Sequence, residues 1–233
     1  MRELSLHILD ALENAREAGA SAVELIVEED TAADRLAITI RDNGRGMSQA
    51  QLERIFDPFF TTRTTRHVGL GVPLFKAAAE RCNGDLTVTS QPGRGTTLQA
   101  TFQHSHIDRA PLGDVAGTLV VAILSGSFDV HYVHGVDGQE FEFDTADVRA
   151  ELGEIPLTHP AVRQWLQEFI AEGEEKLSLL PAPVSGASLG EEKLSPLSAP
   201  VSGASLGEEK LSPLSAPVSG ASLGEENLRR KSQ

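Results

Sequence analysis

Cysteine, basic side chains and long apolar runs are all scarce in this chain, and each shortage removes a class of protein. A single cysteine, Cys82, rules out an intramolecular disulfide and suits a reducing compartment. Lys and Arg number 20 against 34 Asp and Glu, a formal net charge of −14, so the basic patch that a nucleic-acid partner calls for is missing. The longest apolar run, "VAGTLVVAILSG", is too short to span a bilayer. The N-terminal "MRELSLHILDALENAREAGA" mixes charge into its apolar pattern, where a signal peptide keeps an unbroken core. No G-x-x-x-x-G-K-[ST] occurs, so this is not a P-loop protein. These absences leave an acidic protein expected in the cytoplasm, with neither nucleic acid nor membrane as a partner.

Composition divides what is there. After about Glu174 the segment "KLSLLPAPVSGASLGEE" (176–192) recurs, nearly unchanged, at 193–209 and 210–226, a period of 17 residues. The unit is rich in Ser, Pro, Gly and Ala and has no aromatic residue, so it buries too little apolar surface to offset the entropy of ordering. Residues 174–233 are expected to be a disordered tail. Before it, 1–103 and 104–173 read as one domain and a smaller α+β extension, the latter a candidate partner-binding unit.

Within 1–103 the periodicities are plain. Leu4, Ile8, Ala11, Leu12, Ala15 and Ala18 fall on one side of a helix over 3–18 that Gly19 ends, with Glu3, His7, Asp10, Asn14 and Glu17 on the opposite stripe. Val23, Leu25 and Val27, then Leu36, Ile38 and Ile40, alternate as two strands. A Gly-rich stretch follows, "RDNGRGMSQAQLERIFDPFFTTR". Next comes a helix after Gly69 and Gly71 with Pro73 in its first turn, then a hairpin around "QPGRG". This order predicts an α+β sandwich with the helices on one face of a mixed sheet. In 104–173, "DVAGTLVVAILSG" suggests a helix, the run through Asp137-Gly138 a hairpin, and "PAVRQWLQEFIAEG" a helix with Val162, Leu166, Phe169 and Ile170 inward. His104, His106, His131 and His134 do not read as a metal site: no cysteine accompanies them, and alternation puts His131 and His134 on opposite faces.

Taken together, four blocks resemble the ATP-binding domain shared by sensor histidine kinases, gyrase-type topoisomerases, heat-shock chaperones and mismatch-repair ATPases. "HILDALENAREA" is similar to its Asn block, "DNGRGM" to its first glycine block, "IFDPFFTTR" to its phenylalanine block and "HVGLGVPLF" to its second glycine block. The resemblance implies the Bergerat ATP-binding fold, ATP and Mg²⁺ as ligands, and a bacterial signalling setting. Asp42 stands where the family Asp accepts from the adenine amino group; an ionised carboxylate is acceptor-only, so ATP is expected over GTP. Read alone, Asp42 would be an Asx turn before Asn43-Gly44. Gly44 and Gly46 would let backbone approach the base and Met47 would line its pocket. Asn14 matches the Asn that helps hold Mg²⁺. Asp10 matches the place of a Glu general base and is one methylene shorter. Gly69, Leu70 and Gly71 match the glycines that meet the triphosphate, where a helix N-terminus adds a favourable dipole. Arg63, with Arg66 and His67, is a candidate for phosphate oxygens. Phe56, Phe59 and Phe60 would pack the base of the lid. Thr96 matches a Thr beside the adenine Asp, although Thr97 competes for that alignment.

The Asn block begins almost at Met1, ahead of which no dimerising segment with a phosphoacceptor His is seen. The resemblance therefore implies a kinase or switch acting in trans on a protein partner, as the anti-sigma-factor serine kinases of this superfamily act. Two alternatives stay open: an ATPase whose lid closure moves a partner, and a non-enzymatic scaffold that senses nucleotide.

Overall fold

The computed structural model describes residues 2–57, 70–125, 128–179 and 193–194, all within a unit spanning Met1–Pro196. In chain order these form α1 (Ser5–Glu17), β1 (Ala22–Asp30), β2 (Arg35–Asp42), α2 (Gln49–Leu52), α3 (Gly71–Arg81), β3 (Leu86–Gln91) and β4 (Gly95–Gln103). There follow α4 (Val115–Ser125), β5 (Asp129–Val136), β6 (Gln139–Asp144), α5 (Thr145–Leu152), α6 (Pro160–Leu179) and the two-residue β7 (Lys193–Leu194). The sheet order is β3-β4-β2-β1-β5-β6-β7. It is a mixed sheet: β5 runs parallel to β1 and β7 parallel to β6, while the other neighbours are antiparallel. The fold is α+β.

Period-two burial sets which way each strand faces. Val23, Leu25 and Val27 of β1, Leu36, Ile38 and Ile40 of β2, Leu98, Ala100 and Phe102 of β4, and Val130 and Tyr132 of β5 are all buried. They meet a layer of helices in which α3, α1, α4 and α6 lie side by side, and the buried side chains from Leu4 to Leu177 make one continuous core. The predicted hairpin turn between β5 and β6 holds Asp137 at φ 49° and Gly138 at φ 87°, the paired positive angles of the turn that matches strand twist. At the start of α1 no side chain caps the helix. Its first N–H groups are met from 104–114 instead: Leu4 N donates to the Pro111 carbonyl at 3.0 Å and Ser5 N to the Leu112 carbonyl at 2.8 Å.

Two readings of the sequence are revised, and one element is added. His7 does not sit on the exposed stripe of α1. It is 4% exposed, because α3 packs on that flank, and its ring stacks on Phe75 with centroids 4.8 Å apart. Residues 145–152, with no strong periodicity, form α5, started by the Asp144 carboxylate accepting from Ala146 N at 2.7 Å. The change of composition at Glu174 does not stop α6, which runs on to Leu179 and buries Leu177. The remainder of the repeat segment lies outside the described residues, β7 excepted. Among the described residues no helix is long and apolar enough to cross a membrane.

Candidate functional site

Asp42 is the last residue of β2 and pairs with Thr96 of β4. Even-numbered positions of β2 point to the helix layer, so its carboxylate turns to that side at the end of the sheet. It accepts from Gly44 N at 2.8 Å and from the Thr96 backbone N–H. Burial raises its pKa from the ordinary carboxylate range, and these two donors oppose the shift. The bond from Gly44 is the Asx turn that the sequence also allowed. One residue thus makes the turn and offers the acceptor.

The first glycine block is pressed between α1 and the β3–β4 turn. A Cβ on Gly44 would come within 2.8 Å of the Ala18 Cβ and 2.9 Å of Asp42 Oδ1. Gly46, at φ 63°, leaves room only for its own hydrogen against the Gln91 carbonyl. Arg45 fastens the block to the end of α1, its N–H donating to the Ala18 carbonyl at 2.9 Å and its guanidinium to the Glu17 carbonyl at 2.8 Å. Asn43 ties the start of β1, accepting from Ser21 N at 2.8 Å and Ala22 N at 3.0 Å. Met47 N donates to Ser90 Oγ at 2.9 Å. Asp42, Gly44, Gly46, Met47 and Thr96 are therefore together at one corner.

Asp10 and Asn14 lie further back along α1. Gly71, the first residue of α3, faces Asp10: a Cβ there would stand 3.5 Å from Asp10 Oδ2. Asn14, one turn on, is exposed, and Ala18 reaches Gly44. From Asp10 to Ala18 the helix rises roughly 12 Å. One helix thus links the acceptor corner to the N-terminus of α3, where Leu70 makes no side-chain cap and a helix start favours an anion. Gly69 and Arg63, with Phe59, Phe60, Arg66 and His67, lie outside the described residues. Phe56 is half-buried, with the Lys76 ammonium 4.4 Å from its ring centroid.

The ambiguity between Thr96 and Thr97 is a matter of strand faces. Thr96 registers with Asp42 on the side of the α1 and α3 helices, whereas Thr97 registers with Arg41 on the other face. An open groove of about 700 Å³ runs along the sheet, its lining including Glu24, Arg41, Thr89, Thr97 and His131 and, at one end, Asp42 and Ser90. Asp42 and Ser90 reach the end of this groove, while strand alternation sets them with Thr96 on the side of the buried Ile38 and Ile40, so the bulk of the groove is distinct from the corner read from the sequence. His131 and His134 do fall on opposite faces, His131 toward the groove and His134 buried under α6. Sequence reasoning missed Ser90, Arg45 and Asn43. Ser90 shares the alternation of Leu86 and Val88, which was the available signal that it points inward.

Residues 2–106 match the family of histidine kinase-, DNA gyrase B- and HSP90-like ATPases. They are a domain of that family. Relatives of the ATPase domain include the sensor protein kinase FleS of Pseudomonas aeruginosa, 42% identical over 108 residues, which are 46% of this chain and 26% of FleS. A putative sensor protein of Shewanella frigidimarina is 33% identical over 103 residues, 43% of this chain and 16% of that protein. The signal transduction histidine-protein kinase AtoS of Escherichia coli is 44% identical over 62 residues, 27% of this chain and 10% of AtoS. The chain thus spans about a quarter or less of the length of these relatives. Among the described residues no three His, Cys, Asp or Glu side chains gather as a metal site.

Proposed function

We propose that this protein binds ATP through its ATPase domain and acts in trans as a kinase or switch on a protein partner, in the cytoplasm. The observation that carries the reading is the acceptor-only corner of Asp42, half-buried and held by backbone donors, joined by α1 to the N-terminus of α3. Asp42 would accept from the adenine amino group, Gly44 and Gly46 would admit the base, and Met47 would flank it. Gly71 and Leu70, with Gly69, would offer N–H groups to the phosphates. Asn14 would give its amide oxygen to a Mg²⁺ ion, which supplies charge neutralisation to the phosphates. Asp10, beside Gly71, is placed to accept a proton near the phosphate end. We assign residues 1–103 to nucleotide and 104–173 to the partner.

His7 is buried against Phe75, and burial holds its pKa down at about 4, so it is not an accessible acceptor. The relatives' names, sensor and histidine-protein kinases, favour signalling. Position of Asp10 also suits hydrolysis, so an ATPase that moves a partner is the second reading. Incubation with ATP labelled at the γ-phosphate, with candidate partners, separates them. Label on a partner is the expected result; free phosphate alone supports the second reading, and neither leaves nucleotide-dependent binding.

A further inference from the structure

Ser90 is the polar hub behind the acceptor corner, and its hydrogen bonds can be counted. Its Oγ lies 2.8 Å from the Gly95 carbonyl oxygen, 2.9 Å from Met47 N and 3.0 Å from Thr96 Oγ1. A hydroxyl has one proton and two lone pairs. A carbonyl only accepts, so the Ser90 proton goes to Gly95. A backbone N–H only donates, so Met47 takes one lone pair. The second lone pair is all that remains for Thr96, whose own proton must then point at Ser90. Thr96 Oγ1 is left with lone pairs alone, directly across the β2–β4 ladder from the Asp42 carboxylate.

We propose that Ser90 is a specificity-determining positioning residue: by taking up the Thr96 proton it keeps the base-facing edge acceptor-only, and so selects an aminopurine nucleotide over a ketopurine one. This rests on the reading of Asp42 as the base-binding group. An exocyclic amino group donates, whereas a keto oxygen needs a donor that neither Asp42 nor an engaged Thr96 can give. Without the Ser90 hydroxyl, Thr96 is free to turn its proton toward a keto oxygen, and Met47 N loses its partner.

The test is calorimetric titration of the full chain with ATP and with inosine triphosphate, both with Mg²⁺. Wild type is expected to prefer ATP. Ser90→Ala should weaken ATP roughly tenfold while inosine triphosphate holds or gains, so that the preference collapses. Ser90→Thr keeps the hydroxyl and should restore it. Thr96→Val has no proton to donate and should weaken ATP without admitting inosine triphosphate, which serves if Ser90→Ala fails to fold. Merely structural loosening would weaken both nucleotides together. That result, an unchanged preference in Ser90→Ala, or full ATP affinity in Thr96→Val overturns the role of Ser90 while leaving the nucleotide reading intact. A folded wild type that binds neither nucleotide overturns both.

Discussion

Asp42 shows at a single residue how a half-buried carboxylate works against stability. Burial raises its pKa above the unfolded value, so the fold disfavours the ionised form and loses stability as pH rises through the raised pKa. Asp42→Asn is therefore expected to weaken ATP binding by roughly 10- to 100-fold while the ligand-free variant melts no lower than wild type at pH 7. Glycines in the β3–β4 turn give a contrast in backbone terms. Gly95, at φ 86°, has no space for a Cβ against the Asp42 carbonyl, whereas Gly93, at φ 73°, faces open space. Urea unfolding should show Gly95→Ala costing roughly 2 kcal/mol or more and Gly93→Ala only about 1 kcal/mol. That Asp42, Gly44 and Gly46 would come together was legible because they stand within a few residues of one another in a turn-forming block. Ser90 was not, because a serine on an alternating strand carries no signal until the residues around its hydroxyl are known.

Helices and strands were legible wherever one face meets solvent. β1 and β4 alternate cleanly because each buries a single side. The flank of α1 was misread because a helix with neighbours on both sides buries more than one stripe, and sequence periodicity does not say how many neighbours there are. His7 is the result, buried with Nδ1 unpartnered among the described residues and pKa lowered to about 4 by desolvation. The unfolded state takes up its proton near 6.5 and the folded state only near 4, so stability present above pH 6.5 is lost as pH falls from 6.5 toward 4. Thermal melts at pH 7 and pH 5 should show this loss in wild type and a smaller one in His7→Leu, since leucine fills the space without a proton to bind. An equal loss in both would place the acid sensitivity elsewhere.

Across the whole molecule, a buried polar cluster ties β1 to β5, α6 and the segment after β4. His134 lies between Glu29, at 3.2 Å, and Glu174, at 2.9 Å; Tyr132 OH donates to Glu174 at 2.8 Å, and His104 meets Glu29 at 2.6 Å. Burial alone would lower the His134 pKa, but the two carboxylates win and raise it to about 9, while Glu29 is held down at about 2 chiefly by His134. The His134 contribution is full below pH 6.5 and is lost as pH rises through 9; that of Glu29 is full above 4.5 and is lost as pH falls through 2. His134→Gln should cost roughly 3 kcal/mol at pH 6 and flatten the alkaline limb of the stability profile, read by urea unfolding between pH 6 and 9. A chain ending at residue 173 loses Glu174 and Leu177 and should melt well below the full chain. None of this cluster was legible, since its members are spread from Glu29 to Glu174 and only the parallel pairing of β1 with β5 brings them together. The sharpest trial of the account is calorimetric titration of the full chain with ATP and with GTP in Mg²⁺, beside Asp42→Asn. ATP binding, absent for GTP and lost in the folded variant, is the outcome the acceptor corner predicts. Equal binding of ATP and GTP, or ATP affinity that survives in Asp42→Asn, would contradict it.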